Sequence, residues 1–262
     1  MTLIKSISGI RGTIGGRVGD NLTPIDVVKF ASAYGVWVKQ QRNKENYRIV
    51  VGRDARISGE MVQSLVMYSL VGLGIHVIDL GLSTTPTVEL AVPMEHADGG
   101  IIITASHNPK QWNALKLLNA EGEFLNAEEG AKIIDIAESD TMQFSEVDDL
   151  GKITINEAYI DLNIDEILEL TLIDKKAIKK ANYKSKPGCF AQAIQLAILP
   201  LAQHKLIASD VHVNAVTGAT GAGTSLSKTT HFTWRDNNFS HYKPFTHQHL
   251  GEINQTVGQL QD

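Results

Sequence analysis

Apolar positions along the first two thirds of the chain follow two rhythms. Val27, Val28, Ala31, Tyr34 and Val38 recur at helical spacing up to about Gln41. They follow Thr23-Pro24, with threonine suited to the cap and proline to the first helical position. Tyr47 to Val51 is a β-rich run, and Ser58 is placed to cap a helix over Glu60 to Leu70. A second strand is expected over Gly74 to Leu80. A Thr84-Thr85-Pro86 turn then opens a short helix through Leu90 to Met94, and Gly99 to Thr104 is the third strand. In the next apolar run Lys116 points to the opposite face from Leu115 and Leu117. Asn119 to Glu123 reads as a turn, and Ala127 to Ser139 as an amphipathic helix with Ile133, Ile134, Ile136 and Ala137 inward. Strands and helices alternating at these lengths predict an α/β domain of three layers around a mixed, mostly parallel sheet.

Beyond that domain the rhythm loosens. Thr141 to Ile155 is acidic and irregular, a candidate linker, and Ala158 to Lys180 is a helical stretch ending in Lys175, Lys176, Lys179 and Lys180. Pro187-Gly188 then makes a tight turn before a helix from Phe190 to Ala202. Composition shifts at the same place. Residues 1–184 hold 19 Lys and Arg and 25 Asp and Glu, whereas residues 185–262 hold 5 and 4. The second part also carries six of the nine histidines and the one cysteine. The change in charge density suggests two pieces of different origin that meet near residue 184. The expected division is a domain over 1–140, a connecting stretch over 141–184 and a fragment over 185–262.

Overall composition narrows the partners. Apolar residues make up 43% and charged residues 20%, as in ordinary soluble chains. A net charge of −5 gives no reason to expect nucleic acid or an anionic membrane as partner. Met1 to Ile10 does not read as a signal peptide, and no apolar run is long enough for a bilayer. A single cysteine excludes an internal disulfide framework. The expectation is a cytoplasmic protein whose oligomeric state the sequence does not set.

Chemistry concentrates around Thr104-Ala105-Ser106-His107-Asn108-Pro109. A hydroxyl and an imidazole sit on a proline-held turn just past a strand, where open α/β sheets gather their ligands. Serine and asparagine also start ordinary turns, and both readings stand on the hexapeptide alone. Ser6 to Gly16 is glycine-rich. It reads as a flexible N-terminal loop or as a ligand-facing one, in which Arg11 could grip phosphate. Gly52 to Gly59 places Arg53, Asp54 and Arg56 after a strand, as a phosphate-facing or ion-paired loop. Structural pairing is the stronger expectation for Asp54. Lys116 is placed to face the serine loop.

Together these residues resemble the α-D-phosphohexomutases of the phosphoglucosamine and phosphomannose mutase type. Thr104 to Pro109 is similar to the active-serine loop, Ser8-Gly9-Ile10-Arg11-Gly12 to the N-terminal arginine loop, Gly52 to Gly59 to the second loop, and Trp112-Asn113-Ala114-Leu115-Lys116 to the lysine segment. The resemblance runs from about Met1 to Lys184. It implies transfer of phosphate between the C1 and C6 hydroxyls of a hexose or hexosamine phosphate, with Ser106 as phosphoserine and Mg²⁺ held through that phosphate. It implies Lys116 and His107 near the transferred proton, and Arg11, Arg53 and Asn108 around the phosphate. It also implies that 141–184 contains the start of a second mutase domain. The family's Asp-Gly-Asp metal loop, Glu-x-Ser-Gly sugar-reading loop and arginine-rich C-terminal loop have no counterpart here.

In the last part, Cys189 stands where a helix N-terminus would favour a thiolate, though a cysteine is also a small hydrophobe. Gly218 to Gly223 is a glycine-rich loop. His247, His249 and Glu252 come close together, as three metal ligands or as one half of a Cys/His pair, the latter fitting better. Pro187 to Ala191 and Thr246 to Ile253 resemble the nucleophile and histidine segments of N-acetyl-gamma-glutamyl-phosphate reductase. That implies a truncated α+β fragment with Cys189 as nucleophile, His249 as base, Glu252 nearby and NADP as cofactor. No Gly-x-Gly-x-x-Gly fingerprint follows a first strand. Three readings stay open: a phosphohexomutase, a reductase, and an inactive fusion of two enzyme fragments joined near Lys184-Ser185.

Overall fold

The structure is a computed structural model. It describes residues 1–262 except 7–8, 43, 140, 172, 177–187, 219–240, 242 and 262. The chain divides into two units, Met1–Ile173 and Asp174–Asp262.

In the first unit seven strands form one sheet, in the order β1 (Ile4–Ser6), β2 (Gly9–Thr13), β6 (Trp112–Leu118), β5 (Gly99–Ile103), β3 (Tyr47–Arg53), β4 (Ile75–Leu82), β7 (Ile153–Ile155). Four strands come from the expected runs: β3, β4, β5 and β6. The first three make a parallel half with β7. β6, β2 and β1 extend it antiparallel from β5. Successive residues point to opposite faces, so each run feeds two cores. Ile49, Val51, Ile75, Val77, Ile101, Ile103, Leu115 and Leu117 join one core. The helices α1 (Pro24–Gln41), α2 (Gly59–Gly72) and α4 (Ala127–Glu138) cover that face. Val50, Ile78, Leu80, Ile102 and Leu118 meet α3 (Thr85–Met94) and Tyr159 of α5 (Tyr159–Glu169) on the other. Burial on both faces explains why the strands read as continuous apolar runs.

Capping follows the sequence with one exception. Thr23 and Asp26 form a capping box on α1, and the Thr84 hydroxyl accepts from Thr87 N at α3. Ser58 stands at the cap position of α2, but its hydroxyl makes no cap bond. It accepts instead from Asn113 Nδ2 at 2.9 Å, tying the second loop to β6.

Two irregular stretches turn out to be sheet. Much of the glycine-rich N-terminus forms the β1–β2 hairpin. Gly9 has φ +116°, and a Cβ there would stand 2.1 Å from the Leu115 carbonyl oxygen, so this glycine serves close strand approach. Ser8 lies outside the described residues. The stretch expected as a linker contributes β7, which pairs with β4, before α5 packs on α3. A three-residue strand with two exposed positions leaves almost no alternation to read.

The Tyr34 hydroxyl, buried in α1, donates to Leu118 O at 2.6 Å and stands 3.2 Å from Gly100 O. It thereby pins α1 to the two strands whose other ends hold the serine loop.

The second unit holds α6 (Cys189–Gln203) and α7 (His249–Gln261), and no strand among its described residues. Gln195 is buried between the two helices, its Nε2 donating to Glu252 O and to Thr256 Oγ1. The proposed junction at Lys184-Ser185, Pro187, Lys179, Lys180 and most of the glycine-rich loop, from Ala219 on, lie outside the described residues. Among those described, no helix is long and apolar enough to cross a membrane.

Candidate functional site

The loop from Thr104 to Gln111 joins β5 to β6 at the carboxyl end of the parallel strands. Its first residue extends the ladder, Thr104 N donating to Ala114 O at 3.2 Å. The Thr104 hydroxyl donates to Asp54 Oδ2 at 2.6 Å and accepts from Ser106 N at 3.0 Å. Ser106 is exposed, with φ +52°, a left-handed conformation unusual outside glycine. Asp54 follows β3 directly and its own amide donates to Ile103 O at 3.0 Å.

One guanidinium holds the rest of the loop. Arg56 Nη2 donates to Ser106 O at 2.7 Å and to Asn108 O at 2.8 Å. Its Nη1 donates to Pro109 O and to Trp112 O, each at 3.0 Å. Its Nε lies 3.2 Å from Asp54 Oδ2 in an ion pair, and only 11% of the side chain is exposed. The sequence places Arg53, Asp54 and Arg56 in a phosphate-facing or ion-paired loop, and Asp54 pairs with Arg56; the grip of Arg56 on the serine loop is not foreseen. Its partners are carbonyls some fifty residues further on, which no local pattern shows.

The other candidates lie around this frame. His107 is exposed beside Ser106. The Asn108 amide closes a turn on Ala105 O at 3.0 Å, and its carbonyl is one of those held by Arg56. Arg53 was expected at the phosphate. Its Nε donates instead to Gln63 Oε1 at 2.8 Å and its Nη1 to Asp54 O at 3.3 Å, beneath the loop. Arg11 is exposed on β2 opposite Ala114, and its guanidinium has no hydrogen bond or ion pair among the described residues. Lys116 pairs with Ile102 and by register shares that face with Arg11. The Lys116 ammonium lies 5.6 Å from the ring centroid of Phe124, which bridges Leu118 at the end of β6 far from the serine loop. The expected approach of Lys116 to the loop is therefore replaced by a cation–π contact.

A Mg²⁺ site meets a poor donor set. No group of three His, Cys, Asp or Glu side chains among the described residues could hold a metal. Asp54, the carboxylate at the loop, is already engaged by Arg56 and Thr104.

In the second unit Cys189 is exposed at the first position of α6, and Gly188 N donates to Glu252 Oε2 at 2.7 Å. A Cβ on Gly188 would meet His249 Nε2 at 2.0 Å, so the imidazole lies against the backbone next to the thiol. The His247 and His249 ring centroids are 4.5 Å apart, each edge-on to Phe190. His249 N donates to His247 Nδ1 at 3.2 Å. Burial, then the neighbouring His249, holds the His247 pKa below its ordinary value. The segments carrying Cys189, His249 and Glu252 are thus brought together, as the sequence suggested. The metal alternative for the two histidines and Glu252 finds no three-ligand group.

The seven-stranded mixed sheet, covered by helices on both faces and carrying an exposed serine on a loop at the carboxyl end of its parallel strands, defines the class as a three-layer α/β domain. More particularly, the chain belongs to the phosphoglucomutase/phosphomannomutase family, whose α/β/α domain I matches residues 3–144. Solved structures agree on the fold. A phosphoglucomutase/phosphomannomutase family protein from Burkholderia thailandensis superposes with TM-score 0.53 at 22% identity, over 63% of this chain and 35% of that one. A structure assigned as a phosphomannomutase from Thermus thermophilus gives 0.56 at 23%, over 76% and 44%.

The remainder has other relatives. Residues 189–262 match the dimerisation domain of semialdehyde dehydrogenases. The N-acetyl-gamma-glutamyl-phosphate reductase of Christiangramia forsetii is 67% identical over 89 residues, 34% of this chain and 28% of that protein. The reductase of Flavobacterium johnsoniae is 42% identical over 217 residues, 81% of this chain and 62% of that protein, so its match reaches into the first unit. The chain spans less than two thirds of the length of either reductase.

Proposed function

We propose that the first unit is the phosphoserine domain of an intramolecular phosphotransferase acting on a hexose or hexosamine phosphate. The observation that carries this reading is Ser106, exposed in a left-handed conformation on a loop held through its carbonyls. The Ser106 hydroxyl oxygen would attack a phosphorus of a sugar bisphosphate. The new Oγ–P bond forms as the sugar O–P bond breaks, and the serine proton passes to the departing sugar oxygen. His107 is the adjacent imidazole for that transfer. Arg11, uncommitted on β2, would neutralise phosphoryl oxygens, since such transfers depend on positioning and charge more than on covalent help. Mg²⁺ would supply further neutralisation in this family, but the described residues offer it no carboxylate cage.

Incubation of the purified chain with glucose 1,6-bisphosphate, followed by mass spectrometry of the Ser106 peptide, tests the reading. One added phosphate is expected, and none in Ser106→Ala. An unmodified wild-type peptide overturns it.

A second reading rests on the juxtaposition of Cys189, His249 and Glu252 around Gly188. It is NADP-dependent reduction of N-acetyl-gamma-glutamyl phosphate through Cys189. Selective alkylation of Cys189 much faster than a free thiol, with a thermal shift on NADPH addition, would support it. Failure of both tests leaves a catalytically inactive fusion of two enzyme fragments.

A further inference from the structure

We propose that Arg56, Asp54 and Thr104 are positioning residues that set the conformation in which Ser106 receives phosphate; the proposal rests on the phosphoserine reading above. The hydrogen bonds close a ring around a single residue. The Ser106 amide donates to Thr104 Oγ1, and the Ser106 carbonyl accepts from Arg56 Nη2. Both of those groups converge on Asp54 Oδ2, Thr104 through its hydroxyl and Arg56 through Nε. The Ser106 amide and carbonyl, on the two peptide units flanking its Cα, are thus both linked through Thr104 and Arg56 to one carboxylate oxygen. With both groups fixed, the backbone is held at φ +52°, where a non-glycine residue is strained unless its surroundings over-determine it.

The ring also sets what faces the incoming phosphate. Arg56 binds the carbonyls of Ser106, Asn108, Pro109 and Trp112, so four partial negative charges are engaged by one cation. The side chain of Ser106 remains exposed while its backbone is bound. Lysine could not reproduce this, because an ammonium lacks the planar fork that serves four carbonyls and a carboxylate at once. Arg56 and Asp54 lie on the β3–α2 loop, so the serine loop takes its shape from a different segment of the sheet edge.

Two measurements on the full chain test this, on wild type, Arg56→Lys, Thr104→Val and the conservative Thr104→Ser. The first is amide hydrogen exchange of residues 104–110. The second is the rate of Ser106 phosphorylation by glucose 1,6-bisphosphate. Exchange is expected to speed up across the loop in Arg56→Lys and Thr104→Val, with the sheet strands unchanged, and to stay at the wild-type rate in Thr104→Ser. The phosphorylation rate is expected to fall on the order of tenfold to a hundredfold in the first two and to be retained in the third. Exchange that matches wild type in both Arg56→Lys and Thr104→Val overturns the proposal, as does a full phosphorylation rate in both. If Arg56→Lys fails to fold, Thr104→Val against Thr104→Ser carries the test. A wild type that takes no phosphate overturns the phosphoserine reading, and loop exchange then decides the ring by itself.

Discussion

At the scale of single residues, this sheet depends on side chains that bind backbone far away in sequence. Tyr34 is fully buried, and its hydroxyl serves a carbonyl on each of two adjacent strands. Tyr34→Phe keeps the ring and removes the donor, leaving buried carbonyls short of a partner. We expect a loss of about 1–3 kcal/mol in urea unfolding. Gly99 is shaped around the same hydroxyl: a Cβ there would stand 2.1 Å from it and 2.8 Å from Leu118 O. Gly99→Ala is therefore expected to be destabilising alone and less so in the Tyr34→Phe background, a coupling that a double-mutant cycle reads directly. Equal costs in the two backgrounds would show that the clash lies with Leu118 O. The same long reach explains what the site disclosed to sequence reading. The Asp54 ion pair and the exposed place of Ser106 just past a strand were legible because each sits in a short local pattern. The role of Arg56 was not, because all four of its carbonyl partners come from the β5–β6 segment. Lys116 was placed on the right face by strand alternation, yet alternation says nothing of where a four-carbon stem leads. Phe124, eight residues on, draws the ammonium instead.

At the scale of elements, signals with a strong local cause came through and weak ones did not. Helix α1 starts where Thr-Pro predicts, because the cap is satisfied reciprocally: Asp26 N to Thr23 Oγ1, Thr23 N to Asp26 Oδ2. Thr23→Ala should cost about 1–2 kcal/mol, measured by chemical denaturation, since the box is buried. β7 escaped notice because three residues with one half-buried position carry no period, and β1–β2 because glycines needed for close packing look like a loop. Helix α5 was foreseen as helical, and it packs on α3 within the first unit. Tyr159 anchors it, buried, with its hydroxyl donating to Glu95 Oε1 at 2.8 Å. Burial first, then the Glu95 carboxylate, pushes its phenol from 10.0 up to about 12. The folded chain thus holds this proton more tightly than the unfolded one. The associated stability is whole below pH 10 and is lost as pH rises toward 12. Tyr34, raised by burial as well, adds in the same direction. In Tyr159→Phe the decline of unfolding free energy over that interval should be shallower than in wild type. An unchanged slope would mean that the phenol is not protected in the folded state.

At the scale of the whole molecule, the two units differ in how they are held. The first has two cores, one on each sheet face, and most of its large apolar side chains are inside them. Among the described residues of the second, the fully or largely buried positions are Ala191, Gln195, Ala202 and Ile253, while Leu196, Leu201, Leu206 and Val216 are exposed. A unit whose stability comes from burying apolar area should melt well above one that leaves so much of it in water. We expect two transitions in calorimetry of the full chain. Tyr34→Phe should lower the upper one alone, because its partners are all in the sheet. Gln195→Leu should lower the lower one alone, because the amide it removes binds Glu252 O and Thr256 Oγ1 across α6 and α7. A single transition moved by both substitutions would make the chain one cooperative body. Its two enzyme-like parts would then have to be read as a joint structure and not as neighbours on one polypeptide.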